Sequence, residues 1–212
     1  FFQSSSNVER VKVGEQRVLT SAQDVKIRAG AEYGGNAYCW QDDSSLIVCS
    51  NREDTCGISA LNRVEIEGHP RPQTLVVEND SNYVYQPTTN KSLTAYCKEE
   101  RDSMSVVLVD VADGLHDTYV LPVSETFVFD PEFNSVDNRI AVLAWSLPFM
   151  SWNKSCILLL NRKNSDDENS YYEERLIAGA RSTENDKSKF SWCGQPRFSP
   201  DGTRLSYVSD ED

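Results

Sequence analysis

Tyr85-Gln86-Pro87, followed by an apolar run from Leu93, has two echoes further along the chain: Phe129-Asp130-Pro131 ahead of Ile140, and Phe198-Ser199-Pro200 ahead of Leu205. An earlier apolar run starts at Leu46 without the proline. Leu46, Leu93 and Ile140 are 47 residues apart, and the next interval, to Leu205, stretches to 65. A period of roughly 40–50 residues built from short strands is the signature of a β-propeller blade. The expectation is therefore an all-β chain, a partial propeller of four-stranded antiparallel blades belonging to something longer.

Around that repeat, the strand signals are short, β-branched or aromatic, and separated by turn residues. Residues 1–35 read as the end of a preceding blade and a linker. The first unit, 36–80, offers strands at Asn36–Gln41, Leu46–Asn51, Ser59–Ile66 and Gln73–Val77. In the second, 81–125, the strands are Tyr83–Tyr85, Leu93–Cys97, Val106–Val111 and Thr118–Leu121. The third, 126–190, starts at Phe127 and holds Ile140–Trp145, Cys156–Leu160 and Tyr172–Ile177. Its extra length falls into two insertions, the bulky Leu147–Lys154 and the acidic Asn164–Ser170. The last unit, 191–212, is a truncated blade whose first hairpin turns at Pro200-Asp201-Gly202. No segment carries the 3.6-residue periodicity and caps of a helix.

Composition narrows the function classes. With 21 Lys and Arg against 33 Asp and Glu, the net charge is −12, and no basic cluster suits a phosphate backbone. Nucleic acid is excluded as a partner on that ground. No run approaches the roughly 20 apolar residues of a membrane helix. The opening Phe1-Phe2-Gln3-Ser4 lacks both an initiator Met and a basic leader segment. The six cysteines form no C-x-x-C pair and fall mostly inside apolar runs, so they read as reduced core thiols of a cytoplasmic protein rather than metal ligands. The sequons Asn90-Lys91-Ser92 and Asn153-Lys154-Ser155 are discounted as chance triplets.

No catalytic residue emerges. A nucleophile elbow requires G-x-S-x-G, and Gly57-Ile58-Ser59-Ala60-Leu61 fails at its last position. His69 and His116, beside Pro70 and after Gly114-Leu115, read as exposed turn residues rather than general bases. Glu99-Glu100 and Glu173-Glu174 could grip an ammonium group but read as solvated acidic surface. Asp42-Asp43 and Asp166-Asp167-Glu168 lack the ligand alternation of a calcium loop. Neither metal nor cofactor is expected. The recurrent aromatics Tyr85, Phe129 and Phe198 read as equivalent inter-blade packing positions.

Three stretches resemble a known family. Arg17-Val18-Leu19-Thr20 with Glu32-Tyr33-Gly34-Gly35-Asn36-Ala37-Tyr38 is similar to the R-x-L-T and E-Y-G-G-G-A-Y phrases that open the propeller of prolyl oligopeptidase family members, in their acylaminoacyl-peptidase and dipeptidyl-peptidase-like branch. Trp145-Ser146-Leu147-Pro148-Phe149-Met150-Ser151-Trp152 resembles that family's W-D-H-P-N-M-P-W and keeps Trp145, Pro148, Met150 and Trp152. Gln195-Pro196-Arg197-Phe198-Ser199-Pro200-Asp201-Gly202 looks like its blade repeat. The resemblance implies the substrate-gating propeller of a serine peptidase that cleaves small peptides. Its partner would be a C-terminal α/β-hydrolase domain holding the triad. Pro148, Phe149, Met150 and Trp152 are then the candidates for gating or for the domain interface. The rival reading is a stand-alone, non-enzymatic propeller scaffold that binds proteins or glycans.

Overall fold

A computed structural model describes residues 26–27, 36–52, 58–66, 72–78, 82–111, 118–162, 172–181 and 191–210. Among these, fifteen strands and no helix occur, arranged as antiparallel meanders. The first sheet contains β1 (Lys26–Ile27), β2 (Tyr38–Asp42), β3 (Ser45–Arg52), β4 (Ile58–Glu65) and β5 (Gln73–Val77). The second runs β6 (Tyr83–Thr89), β7 (Leu93–Glu100), β8 (Ser103–Asp110), β9 (Thr118–Val120). The third runs β10 (Phe127–Phe133), β11 (Ile140–Trp145), β12 (Cys156–Arg162), β13 (Tyr172–Gly179). The fourth is the hairpin of β14 (Cys193–Phe198) and β15 (Leu205–Ser209). This is the partial propeller that the repeat predicts. Lys26–Ile27 pairs with Asn51 and Ser50 of β3, while β2 pairs with the other half of that strand. The two segments together take the first-strand place of the first sheet.

Successive sheets stack through their apolar middle strands. All six residues of β11 are buried, and Ile157, Leu158 and Leu160 of β12 are fully so. Burial on both faces of a strand explains why these runs are continuously apolar rather than alternating. Each such side chain contributes about 1.5–3 kcal/mol of transfer free energy. One apolar cluster joins the second, third and fourth sheets, and another joins the first to the second. The first strands lie beside one another, β2 against β6, β6 against β10 and β10 against β14. The inner rim of the propeller is thus built from them.

The register of the repeat differs from the sequence reading at its third copy. Pairing slips by a bulge between Tyr85 and Thr88 in β6, between Phe129 and Glu132 in β10, and between Gly194 and Arg197 in β14. The residue inside each bulge has positive φ: Gln86 at 53°, Asp130 at 48° and Gln195 at 54°. The structural equivalent of Gln86-Pro87 and Asp130-Pro131 is therefore Gln195-Pro196, not Ser199-Pro200. Proline suits the next position because it has no N–H for the broken ladder to leave unpaired. Phe198 sits opposite Leu205, as Phe133 sits opposite Ile140. It corresponds to Phe133 and not to Tyr85 and Phe129.

The predicted turn at Pro200-Asp201-Gly202 forms. The Asp201 carboxylate accepts from the Ser199 hydroxyl (2.6 Å), the Thr203 hydroxyl (2.9 Å) and the Thr203 N–H (3.1 Å), which hold its pKa below the usual range. Equivalent turns join across the sheets. Gln41 Nε2 donates to Lys91 O (2.9 Å), Asn90 Nδ2 to Asn138 Oδ1 (2.7 Å) and Asn134 Nδ2 to Gly202 O (3.0 Å). The Asn90 sequon side chain is thereby committed to an inter-sheet contact.

Candidate functional site

The bulges place a chain of hydrogen bonds along the inner rim. Gln86 N–H donates to Asn36 O (3.0 Å), tying the second sheet to the first. Asp130 N–H donates to Gln86 Oε1 (2.8 Å), tying the third to the second. Arg197 then grips both oxygens of Asp130 at 3.1 Å each, tying the fourth to the third. A fork-to-fork guanidinium–carboxylate pair is directional as well as strong. Gln86 and Asp130 reach their neighbours because the bulge turns them out of the ladder, whereas Arg197 pairs with Ser206 just past the bulge of β14.

Beside this relay lies a cavity of about 430 Å³. Gln86, Asp130, Gln195 and Arg197 supply its polar wall, and Phe129, Trp145, Trp152 and Trp192 its aromatic wall. The aromatic side is part of a packed series. Trp145 stacks on Phe127 at 5.5 Å and meets Phe129 edge-on at 6.5 Å, and Phe129 lies 6.2 Å from the fully buried Tyr85. Trp152 is different: it is 60% exposed although it lines the cavity.

Trp152 comes from the insertion between β11 and β12. That loop is closed by local bonds from Phe149 N to Ser146 O (3.2 Å), from Asn153 N to Met150 O (3.0 Å) and from Met150 N to Asn153 Oδ1 (2.7 Å). The second sequon asparagine therefore serves as an internal turn bond. The Leu147–Pro148 peptide is cis. Lys154 ends the loop, only 2% exposed, its Nζ 4.8 Å above the Phe149 ring. Of the four residues singled out in sequence, Trp152 alone reaches the cavity. Pro148 is exposed, and Phe149 and Met150 are half-buried within the loop, Phe149 against Lys154.

Charge near the relay is uneven. Burial pushes the Glu132 carboxyl up, Arg197 pulls it down and Asp130 pushes it up again, with a net rise. Burial, helped by the Glu132 charge, pushes the Cys39 thiol up to about 12. Cys49, Cys97 and Cys156 are pushed up strongly by burial as well. Such thiols stay protonated and are poor nucleophiles. The five described cysteines are all free of disulfides.

The other sequence candidates lie apart from the cavity. Glu100 pairs with Lys98 (3.2 Å) at the β7–β8 turn. Glu174 is not solvated surface. It accepts from Ser124 N–H (2.7 Å) and the Ser124 hydroxyl (2.9 Å) and pairs with Arg181, fastening β13 to the segment that leads into β10. The Ser124 N–H and hydroxyl that it satisfies, with the Arg181 charge, offset the cost of withdrawing it from water. Asp42 accepts from the Ser44 N–H and hydroxyl (2.8 Å each) as an ordinary turn residue. No group of three or more His, Cys, Asp or Glu stands ready for a metal among the described residues. His69, His116, the Glu32–Gly35 phrase and Asp166-Asp167-Glu168 lie outside the described residues. Sequence reading missed Gln86, Asp130, Trp192 and Arg197. The signal available for the first two was the residue preceding each strand proline.

No family model and no curated protein matches this chain. Solved structures do. The crystal structure of puromycin hydrolase superposes with a TM-score of 0.64 at 16% identity, over 91% of this chain and 30% of that one. A puromycin-hydrolyzing peptidase of Mycobacterium tuberculosis gives a TM-score of 0.65 at 15% identity, over the same shares. At such identity the likeness is one of fold. The chain spans 30% of the length of these two proteins.

Proposed function

We propose that this chain is the substrate-gating propeller portion of a serine peptidase of the prolyl oligopeptidase family acting on small peptides. The observation that carries the reading is the superposition of 91% of the chain on a puromycin hydrolase and a puromycin-hydrolyzing peptidase that are each far longer. The Trp145-to-Trp152 phrase supports it, since it resembles the family and here both of its tryptophans line the inner-rim cavity. In this reading an α/β-hydrolase domain C-terminal to the propeller holds the triad. Pro148, Phe149, Met150 and Trp152 form the surface that borders the substrate path or meets that domain. A propeller contributes by exclusion: a rigid ring admits short, unfolded peptides and rejects folded chains, so selectivity comes from access and not from the bond-breaking step.

The unit division 36–80, 81–125, 126–190 and 191–212 is part of the proposal, with Lys26–Ile27 joined to the first unit. So is a reducing, cytoplasmic setting, supported by the five free cysteines among the described residues. No helix among the described residues is long and apolar enough to cross a membrane.

The test is to assay the complete gene product and the 212-residue chain side by side on aminoacyl and N-acylaminoacyl anilides. The complete product should hydrolyse them and be silenced by a serine-directed fluorophosphonate, while the chain alone should be inactive. A complete product with no such activity and no fluorophosphonate labelling would favour the stand-alone scaffold.

A further inference from the structure

We propose that the inner-rim cavity is a binding site for a neutral, planar aromatic side chain carried on a peptide amide, with Trp152 as the stacking surface and Gln86 as a hydrogen-bond donor. The cavity's size falls within the range of small-molecule sites, which run from about 300 to 1,000 Å³. Its wall joins tryptophans from three different segments, Trp145 at the end of β11, Trp152 in the insertion and Trp192 ahead of β14. Trp145 is 2% exposed and accounted for by packing. Trp152 is not: a large aromatic left 60% exposed adds little to stability, and where it borders a cavity it is available to a ligand ring.

The polar wall selects against charge. Arg197 and Asp130 neutralise each other through two hydrogen bonds, so neither invites an ion. Gln86 is 6% exposed; its Oε1 already accepts from Asp130 N–H and Cys97 Sγ, and its Nε2 donates to nothing among the described residues. An unpartnered amide donor on a residue that lines a cavity is free to meet a carbonyl acceptor there. Gln195, exposed at the rim, carries a second amide. An aromatic ring plus a peptide carbonyl meets both walls. The inference deepens the peptidase reading and rests on it only in treating the ring as part of a substrate. Binding itself requires no hydrolysis.

The test uses the complete gene product labelled with 5-fluorotryptophan, the 19F resonances of Trp40, Trp145, Trp152 and Trp192 assigned by single Trp→Phe variants. N-acetyl-phenylalaninamide is titrated in, with N-acetyl-leucinamide as the apolar control. Trp152 and Trp192 should shift saturably, with dissociation in the millimolar range expected of so small a ligand. Trp40, on β2 away from the cavity, should stay still. Trp152→Ala should weaken binding about fivefold, and Trp152→Phe should restore most of it. No saturable shift, equal movement of Trp40, equal binding of the leucine amide, or undiminished affinity in Trp152→Ala would each overturn the site. Binding with no peptidase activity in the complete gene product would overturn the peptidase reading alone.

Discussion

Gln86 holds two roles in one residue: a backbone at positive φ and an amide that accepts the N–H of the next sheet's bulge. The roles separate by substitution. Gln86→Ala keeps the strained backbone and orphans the Asp130 N–H, at a cost of about 1–3 kcal/mol. Gln86→Gly loses the same bond but relieves the backbone, so it should recover about 1 kcal/mol of that in urea unfolding. An alanine variant as stable as the glycine variant would show that the bulge is unstrained. Glu132 makes a pH prediction. Its pKa is raised in the folded chain, so its ionisation opposes folding above the folded pKa. That penalty is relieved as pH falls through the folded pKa and is absent below the unfolded one. Glu132→Gln should therefore melt higher than the parent at pH 7, and the gain should vanish below about pH 4. Asp137 behaves in the opposite sense. Burial raises its pKa, but the Arg139 hydrogen bonds more than offset this, so its contribution is lost as pH falls.

At the scale of elements, two glycines show how the meander closes. Gly179, at the end of β13 with φ of 73°, would bring an added Cβ to 2.2 Å from the backbone oxygen of Ser155. Gly202, in the β14–β15 turn with φ of 68°, would bring one to 2.3 Å from the Asn134 side chain. A side chain can give way where a backbone carbonyl held in a sheet cannot. Gly179→Ala should thus be the more damaging of the two, with both losing more than the ~1 kcal/mol of left-handed strain alone. Thermal melts of the two variants decide the order. Tyr85 is fully buried, so Tyr85→Ala should cost about 3–5 kcal/mol, whereas truncation of the half-buried Phe198 should cost less.

For the molecule as a whole, the two outer ends of the stack are the weak points. Tyr38 and Trp40 are 53% and 59% exposed on β2, and Tyr207 and Val208 are 42% and 45% exposed on β15. Among the described residues β15 pairs only with β14, leaving its far edge open. Open edges and uncovered aromatic faces favour association despite a net charge of −12. Sedimentation should show the 212-residue chain self-associating with concentration, and Val208→Lys should reduce that. A strictly monomeric chain would refute the prediction and strengthen the scaffold reading.

The 47-residue spacing, the turn residues and the apolar runs suffice to place fourteen of the fifteen strands, because hydrophobic period and turn chemistry are local properties. Ile140–Trp145 and Gln73–Val77 are read to the residue. Lys26–Ile27 escapes, since two residues carry no period. The misplaced third repeat has the same root: two prolines lie within five residues of each other, and only pairing with β15 shows that Pro196 follows the bulge. The relay from Asn36 through Gln86 and Asp130 to Arg197 joins residues more than 40 positions apart at each step. The stacking of sheets, not any local preference, makes them neighbours.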